Sequence, residues 1–203
     1  MIELRNTGPG NSKVKATYRG DGAAVVVGYS AVFYTGQPGT EYVLGEGIVE
    51  RIRPGAFDRA IRDGHDARAL FNHDANNLLG RVSSGTCRLS ADSHGLRYEI
   101  TVDRNDPDHQ RVLAKIRRGD LSGSSFAFQP LKVTWEERDG LSIRWLADIQ
   151  LFDVGPVTWP AYGATTTGLR NDELEAIEKE RKDWPALQLR LRQLKLAQLE
   201  AAL

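Results

Sequence analysis

Between residues 21 and 167 the apolar stretches are strand-length and end at glycine, proline or a polar turn, which restricts this part of the chain to short extended elements. Ala23 to Ser30 (AAVVVGYS) is rich in β-branched residues and predicts a buried strand. Ile48 to Arg53 alternates and predicts another, after a Gly/Pro loop from Tyr34 to Gly47. Ala67 to Phe71 is a short apolar strand, and a further strand lies within Leu78 to Leu89. Gly95 to Val102 places Leu96, Tyr98, Ile100 and Val102 on one face, and the turn-like Ser90 to His94 before it makes a hairpin. Leu121 to Phe128, Leu131 to Glu137 and Leu141 to Leu151 are three more strands, with Asp139-Gly140 as a hairpin turn. Val154 to Tyr162 is the last extended piece. Helical turns are expected over Ala56 to Arg62 and over Pro107 to Arg118, the latter with Asp106 as N-cap and Gly119 as stop.

The ends have a different texture. Residues 1–20 are polar, with Gly8, Pro9, Gly10 and Asn11, and read as an N-terminal arm ending in a strand. From Asn171 onward Glu, Lys, Arg, Leu, Gln and Ala dominate. Asp172 to Asp183 reads as one helix, and Pro185, which suits a first helical turn, starts a second that runs to the C-terminus. Leu187, Leu189, Leu191, Leu194, Leu196 and Leu199 cover two stripes of that helix. That is more apolar surface than a lone solvated helix carries, so it docks on the domain, on another copy or on a partner. The expected division is an arm over 1–20, a main domain over 21–168 and a helical extension over 169–203.

Composition excludes several classes. Lys+Arg and Asp+Glu both number 27, and a chain without net positive charge is a poor candidate for nucleic-acid binding. The single cysteine, Cys87, allows neither an internal disulfide nor a cysteine-cluster metal site. No apolar stretch follows the basic residues of the first 20, and no run approaches a membrane span. The expectation is a soluble protein of a reducing compartment, with no cofactor, no bound metal and no membrane partner.

Three segments could carry chemistry. His73, in Leu70-Phe71-Asn72-His73-Asp74, stands at the end of a short strand, where a side chain can reach a cleft from a fixed base; the plain alternative is a surface histidine beside an aspartate. His65, His94 and His109 sit in turns or at a helix start and read as solvated. A metal site drawn from His73, Asp74, Asp106 and His109 has no supporting ligand spacing. In Leu121-Ser122-Gly123-Ser124-Ser125-Phe126-Ala127-Phe128, alternation puts Ser124, Phe126 and Phe128 on one face and Ser125 and Ala127 on the other. The two phenylalanines anchor a core, and Ser125 projects from the opposite face with small neighbours, an exposed hydroxyl on a rigid strand and so a suitable place for a nucleophile. Serine-rich stretches are also ordinary turns, and the Gly-x-Ser-x-Gly elbow of many hydrolases is absent. Asp153, a charge within an apolar strand, needs a partner, and a histidine ring N–H would serve; Asp148 and Asp74 compete for that role.

In chain order the sequence carries Glu46-Gly47-Ile48-Val49-Glu50-Arg51-Ile52-Arg53-Pro54-Gly55-Ala56-Phe57-Asp58, then Leu70 to Asp74 and Leu79-Gly80-Arg81, then Ser124 to Phe128, then Asp153-Val154-Gly155-Pro156-Val157-Thr158-Trp159-Pro160-Ala161-Tyr162. Together these resemble the prohead proteases of tailed bacteriophages, from about Val25 to Thr167. The resemblance implies a serine endopeptidase that trims scaffold and capsid proteins, and itself, inside an immature shell in the bacterial host cytoplasm. It implies kinship in fold with the herpesvirus maturation protease, hence an α+β, mainly β chain with a closed or semi-closed antiparallel β-barrel core and surrounding helices. The family's nucleophile falls on Ser125 and its base on His73. Where the family usually has Glu before Val-Ser-Pro-Val-Thr, this chain has the shorter Asp153. The implied partners are the major capsid protein with its scaffold region as substrate, and a second copy through the C-terminal helices. Two readings compete: a non-catalytic scaffold or capsid-assembly protein on the same fold, and a small-molecule esterase or amidase on another. A histidine and serine within hydrogen-bond reach of each other separate the first from the protease.

Overall fold

A computed structural model describes residues 1–20, 23–159 and 171–200. Residues Gly163 to Gly168, whose small residues predict a flexible linker, and Pro160 to Tyr162 of the last sequence word lie outside the described residues.

The strands form two sheets. The first is built on β10 (Gly123–Arg138) and β11 (Leu141–Val157), an antiparallel hairpin. Its turn is Asp139-Gly140, both at positive φ (53° and 77°), the backbone a tight two-residue hairpin requires. β1 (Glu3–Thr7) pairs antiparallel with β10 on one side. On the other side β11 takes two parallel partners along its length: β5 (Ile48–Ile52) opposite Ser142 to Leu146, and β6 (Arg68–Leu70) opposite Asp153 and Val154. β4 (Tyr42–Gly45) pairs with β5, and β7 (Leu78–Arg81) with β6. The second sheet runs β2 (Lys15–Tyr18), β3 (Ala24–Val32), β9 (Gly95–Thr101), β8 (Cys87–Ala91), all antiparallel.

The expected mainly β character holds, but the sheets do not close, and the barrel implied by the family resemblance is corrected to two open sheets. The strand count also changes. The breaks expected around Leu131 and after Leu151 are register shifts and turns of pairing within two strands of 16 and 17 residues. Pro130 is accommodated beside such a shift, where a missing N–H costs the ladder little.

Between the sheets lies the core. Leu96, Tyr98 and Ile100 of β9 meet Phe126 and Phe128 of β10, which stack with their ring centroids 4.8 Å apart. The helix α3 (Pro107–Arg118) closes one flank with Val112, Leu113 and Ile116. Its caps are as expected: the Asp106 carboxylate accepts from the N–H groups of Asp108 and His109, and Gly119 is left-handed. Two short helices, α1 (Pro9–Ser12) and α2 (Asp58–Arg62), fill corners.

The tail is one helix, α4 (Asn171–Glu200), with Pro185 inside it rather than two helices. Its first half is anchored by Ile177, packed with Leu44, Ile48 and Trp135, while Trp184 packs alongside. The helix also supplies Glu173 and Glu180 to a buried ionic cluster. Arg5 donates to Glu3, Glu50 and Glu173 at 2.6–2.7 Å, and Arg144 to Glu3, Glu50 and Glu180 at 2.6–2.8 Å. Charges this deeply placed hold only because each is paired. Burial works against the charge of Glu3, and Arg144 overcomes it, keeping that carboxyl below its ordinary value. Past Trp184, the leucines from Leu187 to Leu196 are 48–59 % exposed.

Candidate active site

Three adjacent strands of the first sheet bring the sequence-predicted residues together. Ser125 on β10 lies opposite Gly155 of β11, and Ala127 opposite Asp153, so Ser125 and Asp153 share one face. The other face carries Ser124, Phe126 and Phe128 into the core, where Ser124 Oγ is 2.7 Å from the Tyr98 hydroxyl. The alternation expected from the sequence is therefore the one observed. β6 flanks β11 and ends at Leu70, and the next residues carry His73 back over the sheet.

That return is built from an unusual backbone. Asn72 and His73 are both left-handed (φ 56° and 58°), which is uncommon away from glycine. Asn72 holds the turn in place. Its N–H donates to the carbonyl of Pro156, its side-chain amide donates to Thr158 Oγ1 at 3.0 Å, and its amide oxygen accepts from the Thr158 N–H at 2.7 Å. The close approach of β6 to β11 also needs Gly155. A Cβ there would stand 2.0 Å from the Leu70 carbonyl oxygen.

The result is a continuous chain of contacts. His73 Nδ1 is 2.6 Å from Asp153 Oδ1, and His73 Nε2 is 2.6 Å from Ser125 Oγ. Ser125 Oγ also lies 2.8 Å from the Arg5 main-chain carbonyl. The His73 side chain is 20 % exposed and that of Asp153 13 %, while Ser125, expected to carry an exposed hydroxyl, is fully buried because β1 lies alongside β10 and His73 covers it. The competing acids are engaged elsewhere. Asp148 is paired with Arg59 at 2.8 Å. Asp74 accepts from the Asn76 N–H and from the Asn76 and Asn77 amides, and the first of these holds its carboxyl below the usual range. Arg81 donates to both oxygens of Asp66.

The other histidines, expected to be solvated, tie loops down. His65 accepts from the Leu151 N–H, His94 Nε2 meets the Asn11 carbonyl at 2.8 Å, and His109 Nδ1 accepts from the Asp103 N–H at 3.0 Å. Sequence reading missed Asn72, Thr158 and Arg5 as neighbours of the site. For Asn72 a signal existed: asparagine tolerates the left-handed region, and it directly precedes the histidine.

An acid, a histidine and a serine in hydrogen-bonded series, on a mainly β scaffold, have the arrangement of a serine hydrolase. The family model described as caudovirus prohead serine protease matches residues 11–180, and the chain belongs to that family. No curated protein and no solved structure matches it.

Proposed function

We propose that the chain is a serine endopeptidase that cleaves scaffold and capsid proteins, and itself, during prohead maturation, with Ser125 as nucleophile, His73 as base and Asp153 as the acid that orients the ring. The observation that carries this is the pair of 2.6 Å contacts joining Asp153, His73 and Ser125. A serine hydroxyl attacks a peptide carbonyl only when a base accepts its proton, and a neutral imidazole does this near neutral pH. Asp153 fixes the tautomer with the hydrogen on Nδ1 and stabilises the imidazolium that forms. The ring then gives the proton to the leaving amine, and water releases the acyl group by the same steps in reverse order. Asp153 reaches the ring although it is one methylene shorter than glutamate, because Gly155 lets β6 lie close against β11.

The setting that follows is the assembling shell within the bacterial host cytoplasm. The exposed leucines of the distal half of α4 support a docking role for the helix, toward the scaffold region of the capsid protein or a second copy of this chain. Among the described residues no helix is long and apolar enough to cross a membrane. The test is incubation with the phage's own capsid precursor, read by mass spectrometry: defined cleavage products that disappear in Ser125→Ala support the reading, and an intact precursor with the wild-type chain favours the non-catalytic assembly role.

A further inference from the structure

The Ser125 hydroxyl has one hydrogen to give and two acceptors within reach, His73 Nε2 at 2.6 Å and the Arg5 carbonyl oxygen at 2.8 Å. A carbonyl can only accept. If the hydrogen points to Arg5, the contact to Nε2 is satisfied only by a hydrogen on Nε2. Nδ1 at the same time faces the Asp153 carboxylate. The ring then carries both hydrogens and is unable to take one from serine. If the hydrogen points to Nε2, two oxygen atoms are left facing each other across 2.8 Å with no hydrogen between them. We infer that the Arg5 carbonyl competes with His73 for the Ser125 hydrogen, so that Arg5 is a positioning residue that holds the nucleophile in a restrained state.

The carbonyl is held where it is from both sides. Asn6 lies opposite Ser125 and Arg5 opposite Phe126 in the β1–β10 register. The Arg5 guanidinium is gripped by Glu3, Glu50 and Glu173. Burial disfavours its charge, but the carboxylates of Glu50 and Glu3 outweigh this and keep it firmly protonated. Glu173 comes from α4, so the docked helix is one of the clamps on the strand that touches the nucleophile. The full burial of Ser125 accords with a restrained state.

This inference rests on the reading of Ser125 and His73 as nucleophile and base, and the experiment separates the two. The full chain is made with the Arg5–Asn6 amide replaced by an ester, through the α-hydroxy analogue of asparagine at position 6. An ester carbonyl is a weaker acceptor than an amide carbonyl. A control chain carries the ester between Asn6 and Thr7, which weakens β1 but leaves the Arg5 carbonyl an amide. The readout is the second-order rate at which a fluorophosphonate labels Ser125, located by peptide mass spectrometry at one fixed pH. In that reaction the Oγ–P bond forms, P–F breaks, fluoride leaves and the hydroxyl proton passes to His73 Nε2. The expected result is labelling about fivefold faster in the Arg5 ester than in both the native and control chains, the factor carried by one ordinary hydrogen bond. Equal or slower labelling than the control overturns the competition alone. Absence of label on Ser125 in every chain overturns the nucleophile itself. Glu173→Gln gives a second measurement should the ester chain not fold: loosening one clamp raises the labelling rate, and an unchanged or lower rate counts against the inference.

Discussion

Asn72 and Thr158 hold each other by reciprocal hydrogen bonds, the side-chain amide of one donating to the hydroxyl of the other at 3.0 Å and accepting from its N–H at 2.7 Å. The pair fastens the end of β11 to the turn that presents His73, so it fixes His73 relative to both Asp153 and Ser125. Asn72→Ala removes both bonds and places alanine in a left-handed backbone. It is expected to lower kcat by about 10²-fold, the scale set by a misplacement of roughly 1 Å, with KM little changed. A rise confined to KM, with kcat unchanged, in steady-state peptide cleavage would contradict this positioning role.

Adjacent serines have opposite fates. Ser125→Ala is expected to abolish cleavage. Ser124→Ala should keep most activity but destabilise the fold by about 1–3 kcal/mol, because the Tyr98 hydroxyl loses its buried partner. Asp153→Asn should cost on the order of 10²–10⁴ in rate. Asp148→Asn, which only weakens a half-exposed pair with Arg59, should remain near wild type. Peptide cleavage and denaturant unfolding on the four variants check all of these, and a dead Asp148→Asn beside an active Asp153→Asn would reassign the acid.

Gly155→Ala tests whether strand spacing sets the contact between His73 and Asp153. The added methyl meets main-chain atoms of Leu70 rather than a yielding side chain, so β6 must move away from β11 and take His73 with it. We expect a stability loss of about 1–3 kcal/mol, as for other overpacked sites, and a fall in kcat comparable to Asp153→Asn. Wild-type kcat with a lowered melting temperature would show that the spacing matters to the fold alone.

The acid limit of stability follows from the carboxylates held below their ordinary values. These include Asp74, hydrogen-bonded by the Asn76 N–H, and Asp106, hydrogen-bonded by the Asp108 N–H. Glu99 joins them through its bond to Arg19, as does Glu3 through Arg144 against the opposing effect of burial. A depressed folded value means stability that is fully present above the unfolded value, 3.8 for aspartate and 4.5 for glutamate, and lost as pH falls through the folded one. Glu173 runs the other way. Burial raises it, so its contribution improves as pH drops toward 4.5 and partly offsets the loss. Thermal melts should therefore be flat near neutrality and fall below about pH 4. Asp106→Ala, which removes the α3 cap, should lower the melting temperature at pH 7 and make the acid fall shallower.

Much of this was readable from the chain because local rules decided it. Phe126 and Phe128 fix which face of β10 is core, and so which serine is free for the site. Asp139-Gly140 fixes the hairpin, and Asp106 and Gly119 bound α3. What was not readable depends on partners distant in sequence. Glu3 and Arg5 look like a solvated arm, yet they are buried in the first sheet because Glu50, Arg144 and Glu173 neutralise them. The two open sheets in place of a barrel depend on β11 having parallel partners, β5 and β6, and no local pattern announces a parallel neighbour. Pro185 looked like a helix start. It lies within α4, directly after Trp184, which packs beside the Leu44 cluster and carries the helix past the missing N–H.

That same helix divides at Trp184, and the two halves should behave differently on truncation. Residues 171–184 deliver Glu173 and Glu180 to Arg5 and Arg144, and Ile177 to an apolar cluster with Leu44, Ile48 and Trp135. A chain ending at Arg170 leaves two buried arginines short of carboxylates and uncovers that cluster. Its melting transition should drop sharply or vanish, since breaking a buried pair by removing one partner costs about 3–5 kcal/mol. A chain ending at Trp184 keeps these contacts and loses the segment that carries the exposed leucines, so it should melt like the full chain and cleave a short peptide at the same rate. What it should lose is self-association or entry into the assembling shell, measured by analytical ultracentrifugation and by the protease content of purified proheads. Normal incorporation and an unchanged sedimentation coefficient in that chain would remove the docking role from the leucine stripe.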